Sequence, residues 1–264
     1  MLLRVPHPAP LIPGRLVDRY QRFIAEIELR SGERVRAHCV NPGRMEGQVR
    51  PGVKVWLTKV PDDSPRKLRY TWELVEEDGM IVGANTTAPN RIVAAVLAAR
   101  VLPGLRRFRA LRSEVAYGEG SRIDFLLEGA TDHYIEVKNS HLVYPDGYGY
   151  FPDSVSARAS EHLHALKAQA RAGARATVLF TIQRPGVRAI RPSDLHDPTF
   201  ATTAREVAAS PHPVRFRALE IRPTLQAYEV LREIPVDLRA YDTAAHEGWR
   251  EAKLRFSGWR KLPS

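Results

Sequence analysis

Three acidic residues and a lysine lie in one short stretch of the chain and could together bind a metal ion beside a phosphate group. Glu114 and Asp124 come first, and Glu136 and Lys138 follow in a Glu-x-Lys motif. A hard divalent cation such as Mg²⁺ accepts one or two carboxylates together with waters and phosphate oxygens. A neighbouring lysine can hold an attacking water or stabilise charge that builds up on phosphorus. These residue types predict a site for Mg²⁺ or Mn²⁺, with Asp124, Glu136 and Glu114 as metal ligands and all four residues as catalytic candidates.

The elements that must position these side chains are predicted to be paired strands. Apolar residues alternate with other residues over 123–127 and again over 134–138, and this two-residue period is typical of strands. Residues 128–133 between them have turn composition, so a hairpin would bring Asp124 near Glu136 and Lys138. The layout resembles that of PD-(D/E)xK nuclease-like folds, although the usual proline before the aspartate is Ile123 here. A surface hairpin with a Glu/Lys face is the alternative interpretation, and Glu114 could equally be an isolated surface residue.

Composition indicates a globular protein with a polyanionic partner. The 264 residues carry 40 Lys and Arg against 30 Asp and Glu, which gives a net charge of +10. Such an excess favours nucleic acid, first of all DNA, although genome base composition also produces arginine-rich chains. There is no apolar run long enough for a transmembrane helix, so no membrane partner is expected. The single cysteine, Cys39, is consistent with a reducing cytoplasm.

Residues 1–84 are predicted to form an OB-like β-barrel that binds nucleic acid. Strands are expected over 15–30 (one long or bent strand), 34–40, 53–60, 67–76 and 80–84, and short strands at this spacing are typical of a small barrel. Arginines interleave with aromatic residues there, a pattern suited to binding phosphates and stacked bases. The alternative is that the aromatics fill the barrel core. The predicted nucleic-acid contacts in this segment are Arg19, Arg22, Arg44, Tyr20 and Trp72.

Residues 85–238 are predicted to form an α/β domain, so that the fold class is mixed α+β. Helices are expected from about 86 to 102, over 154–172 with a cap near Pro152-Asp153, and over 197–209, and they alternate with strands. The Gly- and Tyr-rich segment 139–150 is predicted to be a mobile loop. Residues 239–264 form a basic C-terminal extension, either a docking helix or a partly disordered tail.

The chain resembles the SfsA-type sugar fermentation stimulation protein family over about residues 14–238. The resemblance implies an N-terminal OB-like barrel, a PD-(D/E)xK nuclease-like domain, sequence-nonspecific DNA binding and a role in regulating sugar (maltose) metabolism. It maps the acidic cluster onto Glu114, Asp124, Glu136 and Lys138, and Arg122 and Arg158 within its motifs are further candidates for DNA contact. The matching segments are Leu16 to Phe23, His38 to Met45, Arg69 to Leu74, Asn85-Thr86, Asn90-Arg91, Ser113 to Val115, Ser121 to Phe125, Tyr134 to Lys138 and Gly149 to Asp153.

One departure from the family pattern lies after Asp153. The family usually has an acidic residue and a glycine around the arginine, whereas this chain has Ala157 and Ala159 around Arg158. If the missing acid belonged to the site, its replacement would call catalytic activity into question.

Three hypotheses about function remain open at this stage. The first is a DNA-binding regulator on a nuclease scaffold, and the second is a metal-dependent nuclease of the PD-(D/E)xK type. The third is a protein-interaction module with a basic surface. Fold alone does not decide between them, and the sequence leaves open both catalysis and the oligomeric state.

Overall fold

The first third of the chain folds mainly into strands, which form where apolar and polar residues alternate. The computed structural model describes residues 1–117 and 121–261, without the side chain of Ser121. The strands are β1 (Leu3–Pro6), β2 (Ile12–Tyr20), β3 (Ile24–Leu29), β4 (Arg34–His38), β5 (Lys54–Lys59), β6 (Tyr70–Glu77) and β7 (Met80–Gly83). Strands β2 to β7 form a sheet in the order β4-β3-β2-β5-β6-β7, and β4 also pairs with β6. This extra pairing closes β2 to β6 into the predicted barrel.

The prediction of one long strand over 15–30 was wrong. β2 and β3 are two antiparallel strands, with Leu16 opposite Ile27. The chain reverses at Gln21 and Arg22, whose φ angles are 47° and 67°. Non-glycine residues seldom adopt this left-handed conformation. The turn contains neither glycine nor proline, so no residue type in the sequence indicated it. Apolar side chains that alternate along the strands meet inside the barrel, around the fully buried Trp72.

The rest of the chain alternates helices with strands around a second sheet. Its elements are α1 (Ala88–Ala98), β8 (Ala110–Tyr117), β9 (Ser121–Glu128), β10 (His133–Ser140), β11 (Leu142–Val143), β12 (Gly149–Phe151), α2 (Ala157–Arg171), β13 (Arg175–Ile182), β14 (Ile190–Pro192), α3 (Pro198–Ala208), β15 (Arg215–Pro223), β16 (Ala227–Ile234) and α4 (Ala244–Leu254). The sheet has the order β1-β16-β15-β13-β10-β9-β8. β10 pairs antiparallel with β9 and parallel with β13, so the predicted hairpin lies inside a mixed sheet.

Helix α2 packs against β10, β13 and α3, and it begins later than the sequence suggested. Its N-cap is Ser156, whose side chain accepts a hydrogen bond from the amide of Ala159. Its apolar stripe, which includes Leu163 and Leu166, joins the core beneath the sheet. Helix α1 contacts β8 and β10.

Segment 139–150, predicted to be a mobile loop, contains β11 and the start of β12, and β12 pairs with β14. Gly149 is closely packed in this pairing: a Cβ there would lie 2.6 Å from the Cδ1 atoms of both Ile182 and Ile190, so both side chains would have to shift. The tight packing explains why a glycine that suggests a loop lies in a strand.

Contacts divide the chain into two units. The barrel unit contains residues 4–87, residues 222–229 and the segment from Ala244 onward, whereas the α/β unit contains residues 1–3, 88–221 and 230–243. The predicted order of a barrel followed by an α/β domain is confirmed. In the part of the chain that the structure describes, no helix has the length and apolar character needed to cross a membrane.

Candidate metal and phosphate site

Three neighbouring strands of the α/β unit bring the four predicted site residues to one cavity. Asp124 lies on β9, Glu136 and Lys138 lie on β10, and Glu114 lies on β8. Ser113 faces Phe125 and Val115 faces Ile123, so the register places Glu114 opposite Asp124. The cavity measures ≈ 380 Å³, and its remaining lining residues are Arg122, Val137, Arg158 and His162.

Asp124 is held by one hydrogen bond on each carboxylate oxygen. Oδ1 accepts from Nδ2 of Asn90 on α1 at 2.7 Å, and Oδ2 accepts from the backbone amide of Val137 at 2.7 Å. The second bond ties β9 to β10 just beyond the last register pair between them, Ile135 with Phe125. Burial and the nearby Glu136 carboxylate raise the pKa of Asp124 to about 6. Burial and the closeness of the two carboxylates thus disfavour the ionised form of Asp124.

Glu136 is buried, and its two oxygens have different surroundings. Oε1 accepts from Nζ of Lys138 at 2.8 Å and from Nδ1 of His162. Burial acts to raise the pKa of Glu136, but these two donors outweigh it and leave the pKa below its usual value. Oε2 is buried and has no hydrogen-bond partner among the described residues. A buried carboxylate oxygen is normally bound by a hydrogen-bond donor or a cation, and a divalent cation in the cavity would be such a partner.

His162 and Arg158 extend the site along helix α2. They stand four residues apart, so they lie on the same side of the helix. Nε of Arg158 donates to Nε2 of His162 at 3.3 Å, and because arginine has no acceptor, Nε2 must be the unprotonated nitrogen. Nδ1 then carries the hydrogen that is donated to Glu136. His162 was not among the predicted site residues, although its spacing of four residues from Arg158 indicates that the two lie on one side of the helix.

Tyr117 and Asn90 are further side chains near the acids that sequence reasoning did not assign to the site. The Tyr117 hydroxyl is buried and has no hydrogen-bond partner in the described part of the chain. Burial, and after it the charges of Glu136 and Asp124, raises the pKa of Tyr117. Asn90 belongs to one of the matching segments, but only the structure shows that it holds Asp124.

The donor set fits a hard cation that keeps several waters. Among the described residues, no group of three or more His, Cys, Asp and Glu side chains is arranged to hold a metal ion. Asp124 and Glu136 share one cavity, whereas Glu114 is exposed there and has a φ of 53°. Mg²⁺ is usually bound by one or two carboxylates with waters and phosphate oxygens, so the half-buried Asp124 and the buried Glu136 suit it.

The predicted nucleic-acid contacts of the barrel divide into buried and exposed residues. The predictions for Arg19 and Trp72 were wrong, because both side chains are completely buried. The Arg19 guanidinium donates to the backbone carbonyls of Arg22, Asn41, Gly43 and Gly258. Nε1 of Trp72 donates to the carbonyl of Leu74 inside the barrel.

Three other predicted contacts of the barrel unit reach solvent. Arg22 and Arg44 are exposed, and Tyr20 is half-buried and donates to Glu26 at 3.3 Å. Arg122 and Arg158 of the α/β unit are also exposed and line the cavity around the acids. Arg122 and Arg158 therefore line the same cavity as the carboxylates, and guanidinium groups form strong hydrogen bonds with phosphate oxygens.

A closed barrel followed by an α/β domain with a carboxylate–lysine cavity defines the class of this protein. The SfsA N-terminal OB domain model matches residues 17–84, and the sugar fermentation stimulation protein RE domain model matches residues 87–226. The chain therefore belongs to the sugar fermentation stimulation protein family, as its motifs predicted.

Named relatives and a solved structure agree with this assignment. A sugar fermentation stimulation protein homolog from Maricaulis maris is 45% identical over 82% of this chain and 93% of its own length. A homolog from Alkalilimnicola ehrlichii is 43% identical over 86% of this chain and 97% of its own length. The structure of SfsA from Pyrococcus furiosus in complex with Ca²⁺ has a TM-score of 0.81 and 26% identity, and the match covers 89% of this chain and 99% of that one.

Proposed function

We propose that this protein binds DNA without sequence specificity and that the cavity in the α/β unit holds a DNA phosphate next to a divalent cation, Mg²⁺ or Mn²⁺. The observation that carries the proposal is the pair of carboxylates, Asp124 and Glu136, in one cavity with the exposed Arg122 and Arg158. A cation bound there would neutralise the carboxylates and polarise a phosphate oxygen. The complex of the Pyrococcus furiosus relative with Ca²⁺ supports a divalent cation as ligand of this fold.

The roles of the residues follow from their positions. Asn90 and the Val137 amide hold Asp124 in place, and His162 and Lys138 hold one oxygen of Glu136, so that Oε2 remains for the cation. Arg122 and Arg158 can pair with phosphate oxygens, whose geometry guanidinium groups match. Contacts to phosphate carry no sequence information directly, so this mode of binding would be independent of sequence. A regulatory role in sugar (maltose) metabolism rests on the family association alone.

Phosphodiester hydrolysis is the second candidate, and the position of Lys138 favours it. Its Nζ lies 2.8 Å from Glu136 in the same cavity, where it could orient a water for attack on phosphorus. The water would release one proton to solvent as its oxygen forms the new P–O bond, the bond to the leaving sugar oxygen would break, and this alkoxide would take up one proton from solvent. Ala157, which replaces the usual acid of the family, is exposed at the first position of α2.

The test measures DNA binding and cleavage with the same set of proteins. Fluorescence anisotropy with two duplexes of unrelated sequence should give equal affinities for the two sequences, which weaken by at least tenfold between about 50 and 200 mM salt. For each duplex, binding should be tighter with Mg²⁺ or Mn²⁺ than with EDTA. Asp124→Ala should remove the effect of the cation, whereas Glu161→Ala, an exposed acid on the same helix as His162, should not. Cation-independent binding in the wild type would refute the proposed role of the cavity.

Plasmid nicking decides between binding alone and hydrolysis. If the wild type cleaves with Mn²⁺, then Lys138→Ala should abolish cleavage while DNA binding persists. An intact plasmid despite cation-dependent binding would support a regulator and exclude the nuclease.

A further inference from the structure

The segment after helix α4 runs along the barrel as an additional edge. The amide of Val49 donates to the carbonyl of Phe256 at 3.0 Å, and the amide of Gly258 donates to the carbonyl of Arg44 at 2.7 Å. At the end of β2, Arg260 exchanges backbone hydrogen bonds with Arg19 and Gln21, at 2.8 and 3.0 Å. The family models end at residue 226, so this edge is a feature of the present chain beyond the matched domains.

Ion pairs at helix α4 hold this edge in place. Nζ of Lys253 lies 2.7 Å from the carboxylate of Glu77, whose side chain is 5% exposed. Nε of Arg250 lies 3.8 Å from the carboxylate of Glu46, whose side chain is 1% exposed. Burial strengthens such pairs relative to surface ion pairs. The edge is therefore a fixed part of the barrel surface.

Aromatic rings and guanidinium groups alternate on this surface. Trp259 is 39% exposed, and the guanidinium of Arg22 lies 4.7 Å from the centroid of its ring. The guanidinium of Arg50 lies 4.5 Å from the ring of Phe256. A cavity of ≈ 280 Å³ opens between the edge and the barrel, and Phe256, Trp259 and Arg260 are among the residues that line it. A flat ring entering there would meet aromatic side chains and cations together.

The charges of this surface favour an anion. Five exposed arginines border it, and Asp18, which also lines the cavity, is already paired with Arg260 at 3.3 Å. The five cations against one carboxylate leave a net charge of 5 − 1 = +4. The arginines are Arg22, Arg44, Arg50, Arg255 and Arg260.

We propose that this edge surface binds single-stranded DNA, with a base stacked on Trp259 and the phosphates paired with the surrounding arginines. Single strands offer unpaired base faces to aromatic side chains and phosphates to cations, whereas the bases of a duplex are stacked on one another. The inference rests on the proposed DNA binding and deepens it, because it names the strand form and a contact surface in the barrel unit. The edge surface would take the place of Arg19 and Trp72, which are buried and cannot contact DNA.

The experiment measures anisotropy of a fluorescein-labelled oligothymidylate and of a duplex of equal length, in EDTA. The wild type should bind the single strand more tightly, and Trp259→Ala should weaken that binding by about 5- to 100-fold, since a stacked base contributes this much. Trp259→Phe should stay within about threefold of the wild type, because it keeps a ring for stacking. Thermal unfolding of each variant checks that the barrel is intact.

Arginine variants provide a second measurement that does not depend on Trp259. Arg255→Ala should lower the slope of log affinity against log salt by about 0.7, the share of one phosphate contact on a single strand. Arg171→Ala, an exposed arginine at the end of α2, is the matched control and should leave the slope unchanged.

The outcomes separate this inference from the proposed function. If the wild type binds neither single strand nor duplex, both in EDTA and with Mg²⁺ or Mn²⁺, DNA binding itself is refuted. If the wild type binds DNA but Trp259→Ala and Arg255→Ala bind equally well, or if the duplex is preferred, only the edge surface is refuted.

Discussion

Raising the pH should weaken the fold through Asp124 when no divalent cation is present. Burial and the nearby Glu136 raise its pKa in the folded protein to about 6, from 3.8 for an unperturbed aspartate. In the unfolded chain Asp124 therefore loses its proton first as the pH rises. Its contribution to the free energy of unfolding is fully present below pH 4 and is lost as the pH rises through 6.

The magnitude follows from the size of the shift. About two pKa units at 1.36 kcal/mol each amount to about 3 kcal/mol, and this is an upper limit because Asp124 is partly exposed to solvent. Asp124→Asn removes the titration. The amide can accept only one of the two hydrogen bonds that the carboxylate accepts. The free energy lost with the other hydrogen bond does not change with pH.

The assay is urea unfolding of the wild type and of Asp124→Asn in EDTA at pH 4, 5, 6 and 7. The free energy of unfolding of the wild type minus that of the variant should fall by up to about 3 kcal/mol over this range. Glu161→Gln, on the exposed side of α2, controls for loss of one carboxylate. A difference that stays flat or rises with pH would refute a strained, cation-free acidic pair.

Three further predictions concern other residues. Arg19→Met should lower the free energy of unfolding in urea by at least about 3 kcal/mol, because the carbonyls bound to its guanidinium lose their donor, whereas the exposed Arg22→Ala should lower it by less than about 1 kcal/mol. Glu114→Gly should raise the free energy of unfolding by about 1 kcal/mol, because glycine tolerates the φ of 53°. The same variant should bind Mn²⁺ more weakly in calorimetry. His162→Ala should weaken Mn²⁺ binding by about 10- to 100-fold through loss of its hydrogen bond to Glu136, and His162→Asn, which keeps a donor, should weaken it less; equal losses in the two variants would contradict a positioning role.

Local patterns predicted the elements that depend on neighbouring residues. The alternation over 123–127 and 134–138 predicted β9 and β10, and their antiparallel pairing placed Asp124, Glu136 and Lys138 around one cavity. The prediction succeeded because a short turn fixes which residues of two strands face each other. The motifs of the matching segments identified the family in the same way, since each is a contiguous run.

Other predictions failed where distant contacts decide the outcome. Arg19 and Trp72 looked like ligand contacts because their residue types suit nucleic acid, yet both are buried. Arg19 is satisfied by carbonyls as far away in sequence as Gly258, which no local pattern indicates. His162 was passed over because only packing of α2 against β10 brings it to Glu136.

The sequence by itself determined the periodicity of the strands and helices, the charge of the chain, and the acids and lysine that could bind a metal ion beside a phosphate. Tertiary structure alone decided that His162 joins the acids in their cavity, that Arg19 is buried, and where the tail pairs with the barrel. The physical reason is that propensity and periodicity act between residues a few positions apart. Burial and electrostatic coupling instead depend on side chains that folding brings together from distant positions.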